Sequence, residues 1–241
     1  MENEKYGALN YNYKREFIEL MIKSGVLTFG DFTTKSGRKT PYFINTGNYK
    51  TGSQAAALSE YYASCIMANI NIGRISGDVA ALFGPAYKGI PLAVTTAVSL
   101  AKEHDLDLSY CYNRKEEKDH GEGGSMVGYK LRDGDKILII EDVVTAGTAV
   151  RECLPLLKSS ADVKIEGLVV SVDRMERGQG KLSAIQELYE DFGIPTYPIV
   201  TVREIFDILY NPGENGVDGL IHKDNGLRER MESYMDEYCT K

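Results

Sequence analysis

No apolar run in the 241 residues approaches the roughly 20 needed to cross a bilayer, so no membrane span is expected. The polar, acidic opening Met-Glu-Asn-Glu lacks the features of a signal peptide. Cysteine is sparse: Cys65, Cys111, Cys153 and Cys239 stand far apart without a C-x-x-C pair. With no secretion signal they read as reduced packing thiols, which points to the cytoplasm. The three histidines are too dispersed for H-x-x-H or H-E-x-x-H, so no metal site built from protein ligands is expected. A net charge of −7 argues against general nucleic-acid binding. There is no internal repeat and no low-complexity tract.

What is present is ordinary for a globular protein: 43% hydrophobic and 26% charged residues, in a length that suits one large α/β domain with at most a small appendage. Phe17, Leu20, Met21 and Ile22 fall near one face of a helix over 13–24. A stretch rich in Gly, Thr and Lys follows, with turns and a short strand at Tyr42-Phe43-Ile44. The pattern then predicts a helix over 53–70, a buried strand over 78–83, a helix over 89–103 and an extended segment over 106–112. The segment 113–128 has no apolar periodicity and reads as a long mobile loop. Ile137-Leu138-Ile139-Ile140 reads as a strand buried on both faces. Beyond it come a helix over 148–160, awkward at Pro155, a strand over 163–172, a helix over 182–192 and a strand over 196–200. This alternation implies a mainly parallel sheet flanked by helices. Residues 211–226, with a proline and several glycines, read as a loop; Leu227, Met231, Tyr234, Met235 and Tyr238 form the stripe of a docked C-terminal helix.

Two adjacent carboxylates, Glu141 and Asp142, end the buried strand where open α/β sheets bind ligands. The small-residue run Val143-Val144-Thr145-Ala146-Gly147-Thr148-Ala149 then opens a helix, whose free N–H groups and positive dipole end favour a phosphate. Acceptors for sugar hydroxyls beside a phosphate cradle make a receptor for a ribose 5-phosphate. Elsewhere, Lys35, Arg38 and Lys39 precede Tyr42 and Phe43, which suits an anionic planar ligand or a diphosphate, although a solvated basic turn fits the same residues. Phe83-Gly84-Pro85-Ala86-Tyr87-Lys88-Gly89 is a strand–turn–helix join able to present backbone amides to a diphosphate. Arg114, Lys115, Lys118 and His120 place cations on a segment with glycine hinges, a device for gripping a diphosphate as its charge grows. Arg174, in Ser171-Val172-Asp173-Arg174-Met175-Glu176-Arg177, follows a buried strand and can bind a carboxylate with two parallel hydrogen bonds.

Residues 139–149 resemble the phosphoribosyl pyrophosphate (PRPP) signature of the type I phosphoribosyltransferases, and the other segments, in the same order, resemble the motifs of orotate phosphoribosyltransferases. The resemblance covers about Tyr13 to Ile208 and implies the type I phosphoribosyltransferase fold over 1–210, with a small N-terminal hood largely from 1–50. It leaves 211–241 as a C-terminal extension. It implies that orotate and PRPP are the substrates, that Mg²⁺ is bound mainly through PRPP, and that the chain forms a homodimer with a shared active-site loop. By the same resemblance Lys35, Tyr87, Lys88, Arg114, Lys115, Lys118, His120 and the run Glu141–Ala149 serve PRPP. Phe43, Ile44, Thr145 and Arg174 serve orotate; Lys115, Lys35 and His120 are the catalytic candidates; Arg177 is structural; and a cis peptide is expected near Ala86–Tyr87. Ile44 stands where that family often has an aromatic residue. Two rivals are a phosphoribosyltransferase for a purine or uracil, which has no use for Arg174, and a PRPP-sensing regulator, which the acidic balance disfavours. No room is left for a fused decarboxylase domain.

Overall fold

A computed structural model describes residues 2–34, 37–115, 125–178, 180–210 and 225–240, with side chains from Tyr13 onward except that of Asn225. Lys35, Lys118 and His120 therefore lie outside the described residues, as do most of the segment read as a mobile loop and of that read as the C-terminal loop.

The doubly apolar strand is the centre of the molecule. In β6 (Lys136–Val143), Ile137 to Ile140 are all fully buried. Because side chains alternate along a strand, Leu138 and Ile140 enter one core and Ile137 and Ile139 the other. Around it lie β3 (Ala81–Gly84), β4 (Ser109–Asn113), β5 (Met126–Gly128), β7 (Lys164–Asp173) and β8 (Thr196–Thr201), in the order β5-β4-β3-β6-β7-β8. All neighbours are parallel except the short edge strand β5. One core packs α4 (Thr148–Ser160) and α5 (Ala184–Phe192) on the sheet. The other takes α1 (Glu2–Lys23), α2 (Gly52–Asn71), α3 (Gly89–His104), α6 (Val202–Tyr210) and α7 (Asn225–Tyr238).

Five elements depart from expectation, one of them β5, which pairs with β4 at the end of the 113–128 segment read as a loop. The strand expected at Asp78 starts only at Ala81: Asp78 is an exposed loop residue that pairs with Lys136 at 2.7 Å. The segment expected to be extended from Leu106 pairs only from Ser109. The Gly- and Thr-rich stretch after Gly25 holds a full strand, β1 (Leu27–Thr33), paired antiparallel with β2 (Lys39–Ile44). An irregular register between Phe29 and Phe32 masks its alternation. The helix α6 also went unanticipated. Pro155, by contrast, sits inside an unbroken α4: its ring removes one helical hydrogen bond, while buried Val150, Cys153, Leu154 and Leu157 pin the helix to the sheet. The C-terminal stripe is a docked helix as expected, with Leu227, Met231, Tyr234 and Met235 buried.

Parallel pairing of β3 with β6 sets their C-terminal ends side by side, and each end runs into a loop that starts a helix. The loop after β3 is drawn in by two glycines. A Cβ on Gly84 would collide with the Gly89 backbone, and one on Gly89 would lie 2.7 Å from the Ile140 carbonyl oxygen. The small hairpin β1–β2 stands over these strand ends and leads, through a 3₁₀ turn at Thr46–Asn48, into α2.

Candidate active site

The two loops enclose a cavity of about 330 Å³, lined by Ala86, Tyr87 and Lys88 on one side and by Glu141 through Val150 on the other. The structure thus brings the diphosphate-loop candidates and the complete run Glu141–Ala149 to one place.

The phosphate side is built by α4. Its N-terminal flank is Gly147 at φ +69°, a conformation that favours glycine, and no side chain among the described residues caps the helix. The first-turn amides are therefore left for a ligand, as an anion site requires. A Cβ on Gly147 would also press on Leu188 at 3.1 Å, which holds the loop close to α5. Thr145 and Thr148 are exposed toward the cavity.

The carboxylates differ from each other. Asp142 Oδ2 accepts from Lys88 Nζ at 2.6 Å and from Thr46 Oγ1 at 2.6 Å, and Lys88 Nζ also donates to Thr46 Oγ1 at 3.2 Å. Burial works to raise the Asp142 pKa, but these bonds outweigh it and hold the group below its ordinary value. Glu141 is buried, and among the described residues no cation is bonded to it. Burial first, with the charge of Asp142 beside it, pushes its pKa from 4.5 up to about 7. Its Oε1 accepts the Asp142 N–H at 3.0 Å. Tyr62 OH donates to the Glu141 carbonyl at 2.7 Å and Ser171 Oγ to the Asp142 carbonyl at 2.6 Å, so the strand end is fastened from two sides.

On the opposite rim, the Ala86–Tyr87 peptide is cis, as expected, and the Ala86 N–H donates to Asn113 Oδ1 at 2.8 Å. That bond ties the loop after β3 to the end of β4, where Arg114 and Lys115 begin the cationic segment. Lys115 Nζ lies 5.6 Å from the Tyr87 ring centroid, at the cavity mouth.

Of the orotate candidates, Thr145 lines that cavity, and the other three sit apart from it. Phe43 is 44% exposed on β2 and stacks on Phe32, while Ile44 packs against the core. Arg174, just beyond the end of β7, is bound to Glu176 through Nη2 at 2.7 Å and Nε at 3.1 Å, and its guanidinium lies 5.6 Å from the Tyr42 ring. The structure thus brings Arg174 to β2, one strand away from Asp142, but with part of its hydrogen-bonding capacity engaged. Arg177 bonds the carbonyls of Glu237 and Tyr238 at the end of α7, in keeping with a structural role.

Across these same loops, the family model described as "Phosphoribosyl transferase domain" matches residues 46–191. The orotate phosphoribosyltransferase of Clostridium beijerinckii is 54% identical over 229 residues, 95% of this chain and 99% of that protein. The chain belongs to the orotate phosphoribosyltransferase family. A second relative of that name, from Bifidobacterium longum, is 47% identical over 226 residues, 92% of this chain and 96% of its own. Among solved structures, the orotate phosphoribosyltransferase of Francisella tularensis superposes with a TM-score of 0.77 at 37% identity, covering 93% of this chain and 100% of that one.

Residue reasoning missed several groups that shape this family's site here. Thr46, on the hood, gave no signal at all, since a lone threonine after a strand is unremarkable. Tyr62 looked like one more aromatic in an Ala-rich helix. Asn113, Ser171 and Glu176 stood inside the quoted motifs, but their partners are remote in sequence.

The raised pKa of Glu141 has a testable sign. A folded-state pKa above the unfolded value gives stability that is fully present below about 4.5 and is lost as pH rises through about 7. Glu141→Gln, which removes the titration, should gain stability relative to the parent over that window, on the order of 1–3 kcal/mol at pH 8. Thermal unfolding of both proteins from pH 5 to 8 would show the gap opening; parallel curves would contradict the assignment.

Proposed function

We propose that the chain transfers the 5-phosphoribosyl group of PRPP to orotate, forming orotidine 5′-monophosphate and diphosphate on the route to UMP. The observation that carries this reading is the single cavity in which a carboxylate pair, an uncapped helix start and Lys88 meet. A ribose 5-phosphate has hydroxyls for Glu141 and Asp142, and a phosphate for the backbone and threonine hydroxyls of 144–149. Its diphosphate would then extend toward Tyr87 and Lys88. Arg174, reached through β2, would receive the orotate carboxylate, with the backbone at Phe43 and Ile44 meeting the ring.

Cleavage at the ribose C1 builds oxocarbenium character as negative charge grows on the departing diphosphate. Lys88 and Lys115, with Lys35, Lys118 and His120 from outside the described residues, would offset that charge. The orotate nitrogen attacks from the opposite face, so its placement matters more than a strong protein base. The donor set fits Mg²⁺ held mainly through the substrate: Glu141 and Asp142 offer hard oxygens at the cavity, and among the described residues no three Asp, Glu, His or Cys side chains converge. Held there, such an ion would supply positive charge to offset that of the substrate.

We also place the protein in the cytoplasm as a homodimer. The four buried, unpaired thiols support a reducing compartment. No described helix is long and apolar enough to cross a membrane. The position of Lys115 at the cavity mouth supports a loop able to serve a site, its own or a partner's.

Ultraviolet absorbance of orotate should fall only when both PRPP and Mg²⁺ are present. Lys115→Ala should lower kcat about 10²-fold or more with little change in orotate affinity; an unchanged kcat would sink that role. If two subunits share the loop, mixing Lys115→Ala with Arg174→Ala protein should restore part of the activity. Proven subunit exchange without recovery would mean self-contained sites.

A further inference from the structure

The C-terminal helix has no part in the chemistry proposed above, yet it reaches the residue assigned to the orotate carboxylate. Glu176 Oε1 is a hub. It accepts from Arg174 Nη2 at 2.7 Å and Nε at 3.1 Å, from Tyr42 OH at 2.9 Å and from Tyr234 OH at 2.7 Å. Arg38 approaches its other oxygen at 3.6 Å. These donors come from three elements remote in sequence: β2, the turn after β7, and α7. Tyr42 and Tyr234 meet edge to face, with ring centroids 5.7 Å apart. Burial, then the neighbouring Glu176, pushes the Tyr234 pKa up to about 12 and likewise raises that of Tyr42, so both phenols stay protonated donors.

The way Glu176 engages Arg174 matters. A guanidinium offers two pairs of parallel donors, one along Nε and Nη2 and one across Nη1 and Nη2. Glu176 takes the first pair on a single oxygen. Both bonds to Glu176 use Nε and Nη2, and the other group against the guanidinium is the Tyr42 phenol, so among the described residues no carboxylate takes the second pair and it can receive that of a ligand. Glu176 therefore orients Arg174 without exhausting it.

We infer that Tyr234 of α7, acting through Glu176, is a positioning residue that fixes Arg174 for the orotate carboxylate. The inference rests on the reading of Arg174 given under Proposed function. It gives the C-terminal extension a role in base recognition: α7 sets where the orotate-binding arginine stands.

Tyr234→Phe removes one hydroxyl and keeps the ring. It should raise KM for orotate about 5- to 10-fold, less than the full worth of a hydrogen bond to a charged group because the hydroxyl acts only through Glu176, and leave KM for PRPP within roughly twofold. Glu176→Gln, which keeps the shape and removes the charge, should give the same split. In an Arg174→Ala background neither change should raise the orotate KM further. An unchanged orotate KM in Tyr234→Phe and Glu176→Gln, while Arg174→Ala raises it, would overturn the positioning role alone. Equal loss for both substrates together with a lower Tm would also overturn it, since a merely structural tyrosine would behave so. An Arg174→Ala enzyme with normal orotate KM would overturn the reading of Arg174 itself, and the inference with it.

Discussion

Two carboxylates at the end of a strand buried on both faces are poorly solvated, and the site is arranged around that constraint. Neighbouring acids cannot both remain charged in such a place without cations or hydrogen bonds to hold them. Lys88 and Thr46 hold Asp142 ionised, and Glu141 is left with a pKa near 7. The pair therefore lies close to a protonation change. The Tyr62 and Ser171 hydroxyls, which grip the backbone at this point, keep the strand end from relaxing away from that arrangement.

Everything that meets the carboxylates arrives through backbone geometry. Parallel pairing of β3 with β6 sets two helix-starting loops side by side, and Gly84 and Gly89 let one of them come close enough to share the cavity. Gly147 turns the other into α4 and leaves its amides open. The hood supplies Thr46 from above. The surroundings of Arg174 are assembled differently: it is bound by the Glu176 carboxylate, which in turn accepts from two phenols on β2 and α7, so its position depends on the tertiary packing of those elements.

How much of this was legible in the sequence follows from that difference. Strand β6, α4 and the run from Glu141 to Ala149 are contiguous, so periodicity and small-residue chemistry marked them with nearly their true bounds. β1 was hidden because its register slips between Phe29 and Phe32 and its alternation breaks there. Thr46 carries no local signature; its role exists only once the hood folds over β6. Arg174 stood out in its motif, but its pairing with Glu176 and the donors that share Glu176 with it did not, since Tyr42 and Tyr234 are separated by most of the chain.

The most direct test of the central claim is a crystal structure of the protein with PRPP and Mg²⁺. The 5-phosphate should lie on the backbone amides of 144–149 and the ribose hydroxyls on Glu141 and Asp142, with Lys88 drawn from Asp142 toward the diphosphate. A 5-phosphate bound elsewhere, with Lys88 still on Asp142 and the α4 amides facing solvent, would contradict it.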